Sequence, residues 1–99
     1  MSYIDKLNVL IDDWIPNSSP ITESLADQPL VASDRIIRIV RAMQGVDPDQ
    51  SMLVNESSVF GALKGLSLIV NIDFSYIKPN KIVSGEEKEI ARLTEIVSQ

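Results

Sequence analysis

Cysteine and histidine are both absent from this chain of 99 residues. Without cysteine there can be no disulfide, no thiolate chemistry and no Cys-ligated zinc or iron–sulfur site. Without histidine the chain lacks the side chain most used for acid–base work near neutrality, which is also the commonest metal ligand. The two absences remove most enzyme readings, and the expectation is a non-enzymatic protein with no cofactor and no metal. Basic residues are scarce too. Nine Lys and Arg face fourteen Asp and Glu, and the net charge of -5 opposes non-specific attraction to nucleic acid or an anionic membrane. No apolar run reaches the ~18 residues that a membrane span needs. The opening MSYIDKLNVLIDDW carries acidic residues within its apolar pattern and no basic n-region, unlike a signal peptide. A cytoplasmic protein without a membrane segment is expected.

What is present is ordinary globular material, 44% apolar and 23% charged, sufficient for a single helical domain over residues 1–99. Ile4, Leu7, Leu10, Ile11, Trp14 and Ile15 trace one helical face after a possible capping box at Ser2 and Asp5. In PNSSP, Ser19 and Pro20 suggest a short helical turn near 20–27 that ends before Pro29. Ser33 precedes a helix with the stripe Ile36, Ile39, Val40 and Met43, which Gly45 and Val46 would close. NESS offers several N-caps for a helix starting near Val59. Ser84 and Glu87 suggest a capping box before the stripe Ile90, Leu93, Val97.

Residues 61–79, GALKGLSLIVNIDFSYIKP, fit two periods. Counted by two, Leu66, Leu68, Val70, Ile72, Phe74 and Tyr76 alternate as in a half-buried strand, which would make the fold α+β with 66–77 as a strand. Counted by three and four, Val59, Leu63, Leu66, Val70, Phe74 and Ile77 share one helical face. A strand there has only SMLVN and KIVS as neighbours, and a KPNK hairpin turn would pair no more than its end. The helical reading is preferred. The expected fold is therefore all-α, a compact four-helix assembly over 3–15, 34–44, 58–77 and 85–97.

The helix near 58–77 is two-faced on this reading, because Gly61, Gly65, Leu68 and Ile72 line up almost opposite the main stripe. Such a helix is either central and fully buried, or packed on its own domain and also on a second chain. Three other modest helices can scarcely wrap it, so the expectation is a homodimer whose interface holds Gly61, Gly65, Leu68 and Ile72.

Arg35, Arg38 and Arg41 recur every three residues and form a basic ridge opposite the apolar stripe of their helix. The bland reading is a solvated face; the pointed ones are a grip on an acidic protein partner or on a nucleic-acid backbone. Trp14 reads as a core anchor, with a partner hot spot as the other possibility. Three patterns fail on inspection. Asp47, Asp49 and Ser51 begin like a calcium loop, but Met52 replaces the turn glycine and Ser58 the closing Glu. Ser75 to Lys78 matches a bare Ser-x-x-Lys without its companion elements. Gly61 and Gly65 make no phosphate loop. The function these features favour is protein–protein interaction by a small regulator, adaptor or inhibitor; the alternative is a DNA-binding transcriptional regulator using Arg35, Arg38 and Arg41. The partner's identity is not encoded in any of these patterns.

Overall fold

The computed structural model describes residues 3–22, 29–46 and 55–98. It is all-α, with helices α1 Tyr3–Trp14, α2 Pro29–Met43, α3 Glu56–Val70, α4 Pro79–Val83 and α5 Glu87–Val97. Among the described residues there is no strand, and no helix is long and apolar enough to cross a membrane.

The central helix is α2, not the helix expected to be two-faced. Ile36, Ile37, Ile39 and Val40 are all fully buried, and α2 touches each of the other four helices. It begins five residues before the expected start, at Pro29, because proline lacks the N–H that a helix's first turn leaves unpaired anyway. The residue read as a stop is the start. Its far end follows the expected Gly45 motif. Gly45 has φ of 79°, and the Gly45 and Val46 N–H groups bond to the Ala42 and Arg41 carbonyls at 3.0 and 3.1 Å.

Around α2, α1 contributes Leu7, Leu10 and Ile11 to the core, α3 Val59, Leu63 and Leu66, and α5 Ile90, Leu93, Ile96 and Val97. The segment after α1 returns across it, held where the Asn8 side chain donates to the Ile21 carbonyl at 3.0 Å and accepts from its N–H at 2.7 Å. The Ser33 hydroxyl donates to the Ile82 carbonyl at 2.6 Å, which fastens α2 to α4. The α3 N-terminus is capped as NESS suggested: Asn55 and Ser58 bond reciprocally through side chain and backbone at 2.8 and 2.9 Å.

Two further boundaries differ from expectation. α3 stops at Val70 instead of running to Ile77, because Asn71 turns left-handed, with φ of 56° and ψ of 40°. Asp73 then accepts the Ser75 N–H at 2.9 Å, a local bond that competes with helix continuation. This bond holds the exposed Asp73 carboxyl below its ordinary pKa. The second difference lies between 79 and 87. KPNK is neither a hairpin turn nor the end of a helix but the start of α4, and the expected Ser84–Glu87 capping box does not form. Gly85 has φ of 78° and ends α4, with the Glu86 N–H on the Lys81 carbonyl at 2.9 Å. Ser84 is thereby the C-cap of α4, while Glu86, whose side chain makes no capping bond, precedes α5. The proposed Ser2–Asp5 box and most of the turn near 20–27 involve residues outside the described ones.

Candidate interaction surface

α3 has one covered side. Val59, Ala62, Leu63 and Leu66 are buried against the core, whereas Phe60 is 60% exposed, Leu68 81%, Ile69 60% and Val70 41%. Of the second face expected of this helix, Gly61 and Leu68 are exposed and Gly65 is partly covered. The face is shorter than expected, since Ile72 lies beyond the Asn71 cap and packs against the core instead of extending it.

The two glycines of that face separate into different roles. A Cβ at Gly61 would meet nothing within 4 Å. A Cβ at Gly65 would overlap the Gln44 amide oxygen, whose amide nitrogen donates to the Ala62 carbonyl at 2.8 Å and the Val40 carbonyl at 3.2 Å. Gly65 makes room for a side chain of its own molecule, one that ties the end of α2 to α3. The two sites should respond differently to alanine. Gly61→Ala should stabilise by about 1 kcal/mol through helix propensity. At Gly65 the same gain is offset by displacing Gln44, whose hydrogen bonds are worth about 1 kcal/mol each. Urea denaturation of both variants checks the contrast; equal stabilisation by both would remove the structural role of Gln44.

Continuing past the end of α3, Ile69, Val70 and Ile72 meet Trp14 and Leu10 of α1 and Ile96 of α5 around a groove of about 430 Å³. Trp14 is 42% exposed on its rim, so it is neither a buried anchor nor an isolated surface residue. α1 packs against α5. Lys6 pairs with Glu95, and burial first and the Glu87 carboxylate second raise the pKa of the Tyr3 phenol. Both helices contribute their last turns to the groove. A second cavity of about 250 Å³ lies on the other side of Phe74, between Phe60, Lys64 and Asp73.

The arginine ridge is half-buried and partly used internally. Arg35 and Arg38 share the Asp34 carboxylate at 2.7 and 2.9 Å, and the Arg35 Nε donates to the Ser19 carbonyl at 3.2 Å. The Arg41 Nε is buried and has no hydrogen-bond partner among the described residues. Arg35 thus clips the segment after α1 to α2. Ser75 and Lys78 are both exposed; the Ser75 N–H serves Asp73, and Lys78 stands at the start of α4. Asp47, Asp49 and Ser51 lie outside the described residues, and among the described ones no group of three or more acidic side chains converges as a metal site.

Sequence reasoning missed Glu89. It is buried, accepts the Lys78 N–H at 2.8 Å and pairs with Arg92 at 3.2 Å. The available signal was that a helix opening on Lys78-Pro79 has no side-chain cap of its own.

No family model, curated protein or solved structure matches the chain, so the surface is read from its own chemistry.

Proposed function

We propose that this protein is a non-enzymatic protein–protein interaction module, a small regulator, adaptor or inhibitor that acts by covering a partner's surface. The observation that carries this reading is the last turn of α3, where Leu68 is 81% exposed, Ile69 60% and Val70 41% in a chain of only 99 residues. Single exposed apolar residues are normal on proteins, but several on one short helix mark a contact surface. The outer face around Gly61 and Leu68 suits a second copy of the chain, because Gly61 leaves open space for a close backbone approach. The arginines support the nucleic-acid alternative less well. Arg35 and Arg38 already share Asp34, and the chain's net charge is -5.

A photo-cross-linking residue placed at Leu68 or Ile69 in cells should give discrete protein adducts, and one at the exposed polar Lys88 should not. An adduct at twice the 11.0 kDa chain mass from position 68 identifies the homodimer. Absence of adducts from both apolar positions would sink the interaction reading.

A further inference from the structure

Three of the helices that meet the groove end on it without a compensating positive charge. The last turns of α1, α3 and α5 supply Trp14, Ile69 and Ile96 to its lining, and none of those last turns contains a basic residue. By contrast, α4 carries Lys81 in its last turn, and α2, whose last residue Met43 also lines the groove, carries Arg41 in its own, although Arg41 is not in the lining. A helix C-terminus presents unpaired carbonyls and about half a negative charge. α1 adds to this with Asp12 and Asp13, both exposed, the second directly on the groove. An apolar trough thus carries the carbonyl ends of α1, α3 and α5 and the Asp13 carboxylate at its rim, with no Lys or Arg among its described lining residues.

We infer that the groove receives a basic amphipathic helix of another protein. Its apolar side chains would lie against Trp14, Ile69 and Val70, and its Lys or Arg residues over the carbonyl ends and Asp13. Helices dock in grooves through anchors spaced three and four residues apart, and charge complementarity at the rim selects the partner. A second copy of this chain is the poorer occupant here. Two-fold packing of groove on groove would set Asp12, Asp13 and the helix ends of one copy against those of the other. The half-exposed tryptophan suits an anchor contact.

This inference rests on the protein-binding reading and adds the chemistry of the partner. The test uses the chain's only tryptophan, Trp14, as reporter. The probe is a synthetic amphipathic helix of Leu and Lys, roughly 18 residues long so that it is helical, alongside its Glu-for-Lys counterpart. The Leu/Lys peptide should shift Trp14 emission to the blue saturably, and rising salt should weaken the effect. The Leu/Glu peptide should give no shift. The double variant Asp12→Lys, Asp13→Lys, altering two exposed residues, should lower affinity about tenfold, and Ile69→Glu should abolish binding while circular dichroism stays helical. Phe60→Ser, which does not line the groove, should bind as the wild type does. Equal binding of the Leu/Glu peptide, no effect of the aspartate changes, or no saturable binding overturns the inference. So does a self-association that Ile69→Glu abolishes, since the occupant is then a second copy. Cross-links from positions 68 or 69 in any of these cases leave the broader protein-binding reading standing; their absence removes both.

Discussion

Phe74→Ala is expected to destabilise the fold by about 3 kcal/mol, near the low end of the range for a buried phenylalanine. Phe74 is buried in a stretch with no regular secondary structure, and its ring forms a wall of both the groove at Trp14 and the cavity at Phe60. Removing it joins the two spaces. Because both open to solvent, water can enter, and the penalty for an empty void is correspondingly reduced. Even so, 3 kcal/mol is a large part of the 5–15 kcal/mol total typical of a domain. The controls are Tyr76→Ala and Val70→Ala, both at half-exposed positions, with expected costs below about 1 kcal/mol. The three variants together separate the possible conformations of this stretch. In a half-buried strand Phe74 and Tyr76 would face the same way and cost alike; in a helix continuing to Ile77, Val70 and Phe74 would. Urea midpoints decide among them, and comparable losses at all three positions would contradict the observed backbone.

That stretch also shows why part of the fold was legible in the sequence and part was not. Helical counting grouped Val59, Leu63, Leu66, Val70, Phe74 and Ile77, and all but Val70, which is 41% exposed, are buried. Periodicity reports which side chains seek the core, not whether the backbone joining them is continuous. The break depends on one residue, Asn71, adopting a left-handed conformation open to Asn more than to most residues. Caps behaved similarly. Asn55–Ser58 and Gly45–Val46 were legible because donor and acceptor lie close in sequence, whereas Ser84–Glu87 looked equally good until Gly85 claimed Ser84 for the helix before it.

The candidate surface was visible only as fragments. The outward apolar face of α3 could be counted from Gly61 and Leu68, but Trp14 appeared on the apolar side of its helix and pointed to the core. Its exposure arises because α1, α3 and α5 all end at the same place, a fact of topology absent from any single window of sequence. The same holds for Gly65. Nothing local distinguishes it from Gly61, and only the packing of α2 on α3 places Gln44 where its side chain would be.

Glu89→Ala is the second large loss expected, at about 2 kcal/mol, and the reason is long-range. The Glu89 carboxylate is buried on α5 and accepts the backbone N–H of Lys78, the residue that opens α4 and has no side-chain cap of its own. A hydrogen bond to a charged group contributes about 1.5–3 kcal/mol. Truncation also leaves the Lys78 N–H at the N-cap of α4 without this acceptor, in a segment already constrained by the buried Ile77 and Ile82. The competing explanation is the ion pair with Arg92, but Arg92 is largely exposed, and such pairs are worth at most about 1 kcal/mol. Arg92→Ala should therefore cost little, and Glu89→Gln, which retains a carbonyl acceptor for the Lys78 N–H, should cost about half as much as Glu89→Ala. Hydrogen exchange adds a readout specific to the bond: the Lys78 amide and the first turn of α4 should exchange faster in Glu89→Ala and stay protected in Arg92→Ala. If Arg92→Ala proves as damaging as Glu89→Ala, the ion pair and not the backbone bond fastens α4 to α5.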